Sequence, residues 1–204
     1  MRKRISLPIS KRVKWRKALY AREIGVGNQI EEFSHRPCLA VGVLACFVPD
    51  KGNDSLREET LAMNTLEMLL VEDSHGDVVL VKEALKQIAV TVSLNVVYDG
   101  EAALAFLRKE EPYAQALTPD LMLLDLNMPK KSGREVLAAM RSDPALKDLP
   151  VVILTSSNKE QDIRDSYALC ANLYLQKPLE LDAYFEKIRA LVEFWVKYVT
   201  PLPR

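Results

Sequence analysis

Cysteine, long apolar runs and net charge are all scarce in this chain. It has three cysteines among 204 residues. Cys38, Cys46 and Cys170 are odd in number and lack paired ligand spacing. That argues against a disulfide framework and against zinc, and points to reduced thiols. The best apolar run, residues 38–48 (CLAVGVLACFV), falls short of the roughly 20 apolar residues that cross a bilayer. The basic cluster lies too far upstream, and Arg36-Pro37 interrupts the approach, so a signal peptide is not indicated either. The expectation is a cytoplasmic protein without a membrane contact. Lys plus Arg and Asp plus Glu both number 28, but the balance hides an asymmetry. Residues 1–63 carry 12 basic and 7 acidic side chains, and residues 64–204 carry 16 and 21. The two parts need separate readings.

The first 22 residues hold nine Lys/Arg and no acid. Such a run can bind nucleic acid or an anionic membrane. No second basic patch or stacking aromatic platform accompanies it, so a solvated tail is the plainer reading. Residues 23–62 show no sustained period, and GVGN and PDKGND are loop-forming clusters. Met63 stands just before the first convincing strand. Residues 1–62 are therefore expected to be a disordered extension or an upstream stretch from an early start codon. Residues 63–204 are expected to be the folded domain.

From Leu66 the pattern changes. MLLV (68–71) is a buried strand ending in Glu72-Asp73. Val78, Val79, Val81, Leu85 and Ile88 follow at helical spacing over 76–88, with Ser74 or His75 at the start. Residues 92–98 read as a second strand, 101–109 as a helix and 110–119 as a loop. LMLL (121–124) is a third strand ending at Asp125, followed by a helix over 132–140. PVVIL (150–154) ends at Thr155, followed by a helix over 160–170. LYL (173–175) ends at Lys177-Pro178, followed by a long helix over 181–198. Alternating strands and helices imply parallel βαβ units, and continuous apolar strands imply a sheet covered on both faces. The expectation is an α/β, flavodoxin-like, doubly wound sheet of five strands in the order 2-1-3-4-5.

Glu72, Asp73, Asp125, Thr155 and Lys177 all stand at carboxyl ends of strands, the side where such sheets place their ligands. Each alone could be a helix cap or a solvated loop residue. Together they describe a site. Three converging carboxylates repel one another unless a cation joins them. Mg²⁺ suits a few carboxylates and a phosphate oxygen, Lys177 adds a point charge, and Thr155 adds a hydroxyl.

The segments LLVEDSHGD, LMLLDLNMPKKSGREVL, PVVILTSS and LYLQKP resemble the receiver domains of two-component response regulators over about 130 residues. The resemblance implies a phosphoprotein of the phosphorelay type. Asp125 would be the phosphoacceptor. Glu72, Asp73, Asp125 and the backbone carbonyl of Asn127 would hold Mg²⁺. Lys177 would pair with the phosphoryl group, and Thr155 and Tyr174 would form the switch pair. It also implies a cis Lys177-Pro178 bond, a sensor histidine kinase as partner, and no enzymatic activity beyond self-phosphorylation and self-dephosphorylation. DLNMPKKSGREVL, the loop around 113–119, and Phe194-Trp195 followed by Val199-Thr200-Pro201 are similar to the small receivers that partner bacterial and cyanobacterial phytochromes. Output would then pass through protein–protein contact, read on helix 4, strand 5 and helix 5.

Other readings compete with this one. An aspartyl-phosphate phosphatase of the haloacid dehalogenase type needs an acid two residues after its nucleophile, where this chain has Asn127. A DNA-associated regulator would use the basic N-terminus. A degenerate receiver would lack a functional residue, and none is missing. His75, beside the acidic pair, reads as a polar helix start rather than as a metal ligand or phosphorelay histidine; His35 is the only other histidine. On the last helix, Leu181, Tyr184, Phe185, Ile188, Val192 and Trp195 form one apolar stripe. Leu191, Phe194 and Tyr198 add apolar surface on a neighbouring face, which suggests a symmetric dimer through helix 4, strand 5 and helix 5.

Overall fold

The computed structural model describes residues 65–199. The expectations for residues 1–62, including the basic run and the early start codon, lie outside the described residues. Ten elements alternate along the described chain: β1 (Leu66–Val71), α1 (His75–Lys86), β2 (Val92–Val97), α2 (Gly100–Leu107) and β3 (Leu121–Leu124), then α3 (Gly133–Ser142), β4 (Val151–Thr155), α4 (Glu160–Ala168), β5 (Leu173–Gln176) and α5 (Leu181–Tyr198). The strands form one sheet in the order β2-β1-β3-β4-β5, and every pairing is parallel. This is the expected doubly wound sheet.

Side chains alternate across the strands, so each apolar strand feeds two layers. Leu69, Val71, Met122, Leu124, Val151 and Ile153 pack with Ala103, Phe106, Val136, Leu137 and Met140 of α2 and α3. On the opposite face α1 packs against α5, where Val81, Ile188 and Val192 are fully buried. Truncating one of these side chains to alanine costs about 2–5 kcal/mol in such a core.

Caps set the helix starts. Ser74 accepts from the Asp77 N–H and Asp99 from the Ala102 N–H. Ser132 and Glu135 form a reciprocal capping box, so α3 begins at Gly133, with Ser132 just outside it. Two helix ends fall short of the sequence reading for one shared reason. α2 stops before Lys109 and α4 before Cys170, residues with φ of 57° and 63°. In each case the next N–H reaches back to close the helix, Glu110 to the Ala105 carbonyl and Ala171 to the Ser166 carbonyl, both at 2.9 Å. This is a Schellman closure built without glycine, and the usual glycine signal is missing from the sequence.

Two further expectations are corrected. Among the described residues the only cis peptide bond is Glu111-Pro112, so Lys177-Pro178 is trans. The trans bond still delivers the Lys177 ammonium to the acidic cluster, within 2.6 Å of Glu72. Cys170 is disulfide-bonded rather than a reduced thiol; Cys38 and Cys46 lie outside the described residues.

Candidate functional site

Strand register assembles the site. β1 and β3 pair with Val71 opposite Leu124, so Glu72 and Asp125 emerge as neighbours one residue later. The Asp125 N–H donates to the Val71 carbonyl at 3.0 Å, which continues the pairing. β4 and β5 pair with Thr155 opposite Gln176, and the Lys177 N–H donates to the Thr155 carbonyl at 2.8 Å. Four strand ends thus bring Glu72, Asp125, Thr155 and Lys177 to one crevice.

Glu72, Asp73 and Asp125 each bring a carboxylate oxygen within 4.8 Å of the others. Glu72 and Asp125 are buried, while Asp73 is exposed at the rim. One Asp125 oxygen is engaged by the Leu126 N–H at 2.8 Å, and a Glu72 oxygen accepts from the Ser74 N–H at 3.2 Å. Lys177 enters from the β5 side. Its ammonium lies 2.6 Å from Glu72, 2.6 Å from Asp77 and 3.9 Å from Asp125. Burial alone would lower the Lys177 pKa, but its hydrogen bonds to Asp77 and Glu72 and the charge of Asp125 carry it above the usual lysine value. Burial pushes the Glu72 carboxyl up to about 7; Lys177 pulls it down, and Asp125 and Asp77 add to the rise. Enclosure is thus the main cause of the displacement, and the neighbouring carboxylates add to it. Three hard oxygen donors in that setting fit a hard divalent cation such as Mg²⁺.

The polar neighbours on the β4 side are also in place. Thr155 is fully buried, and its hydroxyl oxygen accepts from the Asn127 side-chain amide at 3.4 Å. An amide stands where a phosphatase of the aspartyl-phosphate class would need an acid. The Tyr174 ring is buried, with its hydroxyl donating to the Ser157 carbonyl at 3.0 Å. His75 is not a member of the three-carboxylate cluster. It opens α1 and stacks on Tyr98, with ring centroids 4.7 Å apart.

Asp77 was missed in the sequence. It lies inside the EDSHGD segment, four residues after Asp73, and that spacing was the available signal. Gly133 was missed as well. A Cβ there would meet the Asp125 carbonyl oxygen at 2.1 Å, so only glycine lets α3 start this close to the end of β3.

Comparison with known proteins matches this geometry. Residues 68–189 match the response regulator receiver domain family. Response regulator Rcp1 of Synechocystis sp. (strain ATCC 27184 / PCC 6803 / Kazusa) is 46% identical over 133 residues, which are 65% of this chain and 90% of Rcp1. The crystal structure of the phosphorylated cyanobacterial phytochrome response regulator RcpA superposes with a TM-score of 0.66 at 45% identity, over 69% of this chain and 100% of RcpA. The Mn²⁺-bound form of Rcp1 gives a TM-score of 0.65 at 44% identity, over 68% of this chain and 99% of that one.

Proposed function

We propose that this chain, which belongs to the response regulator receiver family, accepts a phosphoryl group on Asp125 from a phosphohistidine of a sensor histidine kinase and signals through protein–protein contact. One observation carries the reading. The buried Asp125 carboxylate shares its crevice with Glu72 and Asp73 within 4.8 Å, and the Lys177 ammonium stands 3.9 Å away.

In the transfer, an Asp125 oxygen forms the new bond to phosphorus while the P–N bond to the donor imidazole breaks. The transition state is loose, so the site acts mainly by positioning and charge stabilisation. Lys177 supplies a fixed positive charge on one side. Glu72, Asp73, Asp125 and the Asn127 backbone carbonyl would hold Mg²⁺, which when bound neutralises charge on the phosphoryl oxygens. The buried Thr155 hydroxyl is the donor for the new phosphoryl oxygens. Tyr174, on the neighbouring strand, is the aromatic member of the switch pair, and its ring is already turned inward in this structure. An acyl phosphate adds negative charge and acceptor oxygens at one strand end, and Thr155 and Tyr174 convey that change to the face formed by α4, β5 and α5.

The similarity to the cyanobacterial phytochrome response regulators supports a phytochrome-type histidine kinase as the donor. Pairing of two copies across α4, β5 and α5 is the proposed assembly. The apolar surface open to it differs from the one that the α5 pattern implies. Leu191 is buried within the fold, whereas Leu179 and Leu181 stand exposed at the start of α5.

The test is labelling by acetyl phosphate with Mg²⁺, read as a hydroxylamine-sensitive acyl phosphate. The wild-type protein labels, chelation of Mg²⁺ suppresses labelling, and Asp125→Asn abolishes it. Equal labelling of Asp125→Asn refutes the assignment.

A further inference from the structure

The loop after β4 is tied to an ion pair, its acid enclosed and its arginine half-exposed, that the acceptor crevice does not itself require. Asp162, in the first turn of α4, carries a carboxylate yet is only 6% exposed. One of its oxygens accepts from both terminal nitrogens of Arg134 in α3, at 3.2 and 3.1 Å. The other accepts from the Ser157 hydroxyl. Asp165 adds a second, longer ion pair to Arg134 at 3.6 Å.

Ser157 is the junction. Its hydroxyl donates to Asp162 and accepts from the Lys159 N–H at 3.3 Å. Its own N–H donates to the Thr155 hydroxyl oxygen at 3.4 Å, and its carbonyl accepts from the Tyr174 hydroxyl at 3.0 Å. A loop peptide is ordinarily the easiest part of a fold to reorient. Here its side chain is fixed from α4, and α4 is fixed in turn from α3. Burying a carboxylate is costly unless its hydrogen bonds are met, and both oxygens of Asp162 are engaged.

We propose that Asp162, anchored by Arg134, is a positioning residue that holds Ser157 so that its carbonyl receives the Tyr174 hydroxyl, and so favours the inward Tyr174 arrangement before any phosphoryl group arrives. This rests on the acceptor-site reading above. Where a ligand at Asp125 binds the inward arrangement better, its apparent affinity scales with the fraction of protein already in that arrangement. Losing the tie therefore weakens a phosphoryl mimic bound at a crevice that Asp162 does not touch.

The experiment titrates beryllium fluoride with Mg²⁺ into the full chain carrying 3-fluorotyrosine, with the Tyr174 fluorine signal assigned from Tyr174→Phe. Asp162→Asn and Ser157→Ala are each expected to weaken binding roughly tenfold, the weight of one charge-assisted hydrogen bond. Both are expected to shift the Tyr174 signal in the free protein. The double variant should be no weaker than either single one, because both changes cut the same tie. Should Asp162→Asn lose its cooperative melt, Ser157→Ala decides the matter, because it leaves the Arg134–Asp162 pair intact. Binding within twofold of wild type with an unmoved fluorine signal overturns the inference, and so does additive weakening in the double variant. Wild type that binds no beryllium fluoride overturns the acceptor reading, and this inference with it; a wild type that binds while the variants match it overturns this inference alone.

Discussion

Gly133 offers a quantitative test of how closely α3 is built against the end of β3. An alanine Cβ there would lie 2.1 Å from the Asp125 carbonyl oxygen and 2.9 Å from both the Asp125 carbonyl carbon and Leu126 Cα. All three are backbone atoms, so no side chain can swing aside. The surroundings are pinned on both sides. The Gly133 N–H donates to the Leu126 carbonyl at 3.0 Å, and the Asp125 N–H donates to the Val71 carbonyl at 3.0 Å. Relief requires moving the Asp125–Leu126 peptide or breaking the first of these bonds. Overpacking typically costs about 1–3 kcal/mol, and backbone overlap of more than 1 Å belongs at the upper end of that range. Gly133→Ala is therefore expected to lose about 2–3 kcal/mol, or roughly 6–12 °C in melting temperature for a domain of this size. Gly76 is the internal control. It lies in α1, and a Cβ there would meet only the Ser74 hydroxyl, at an ordinary 3.7 Å. Gly76→Ala should stabilise by about 0.4–1 kcal/mol, chiefly through the unfolded chain. Urea unfolding followed by circular dichroism measures both. Acetyl phosphate labelling at a temperature where Gly133→Ala is still folded should also fall, because the displaced peptide carries Asp125. Unfolding of Gly133→Ala within 0.5 kcal/mol of wild type, on the scale of ordinary surface substitutions, would refute the steric argument.

Two further outcomes follow from the structure. Asp99 caps α2, and its pKa is lowered first by the Ala102 N–H and then by Lys130; Asp99→Ala should cost about 1 kcal/mol. A lowered folded pKa gives stability that is present above the ordinary aspartate value of 3.8, so the gap between variant and wild type should be full at neutral pH and close as pH falls below that value. Arg141 donates to the carbonyls of Cys170, Lys147 and Leu149 at 3.0, 2.9 and 3.0 Å, joining α3 to the segments that flank β4 and β5. Arg141→Ala should destabilise by about 2–3 kcal/mol in urea unfolding, with Arg141→Lys recovering only part, because one ammonium cannot reproduce the guanidinium fork.

Much of the site was legible because strand ends are legible. An apolar run of four to six residues that stops at a charge fixes both the strand and its last residue. In a parallel sheet whose ligand side is known, that is nearly enough to place Glu72, Asp125, Thr155 and Lys177 together. Element boundaries that depend on backbone conformation were less accessible. Lys109 and Cys170 end their helices at positive φ without the glycine that usually announces such a stop. The trans bond at Pro178 was hidden for a related reason: the family resemblance implied a geometry that no residue in the segment specifies.

Partnerships across distant elements were hidden most deeply. Asp77 is visible in the sequence as an acid one helical turn beyond Asp73, favourable at a helix N-terminus in its own right. Nothing local distinguishes that role from its bond to Lys177, which joins residues 100 positions apart. The same holds for Arg134 and Asp162, separated by 28 positions, whose pairing nothing in their local sequence announces. Burial tells the two cases apart. Asp77 is partly exposed, and water can share the work of its partner, whereas Asp162 is enclosed and has no such substitute. Two of the enclosed acids of this domain are matched by a base from another element, and each marks a place where separate segments are held together. Glu72 marks the β1–β5 connection through Lys177, and Asp162 marks the α3–α4 connection through Arg134. Both connections converge on Thr155, which the Lys177 N–H meets at its carbonyl and the Ser157 N–H at its hydroxyl.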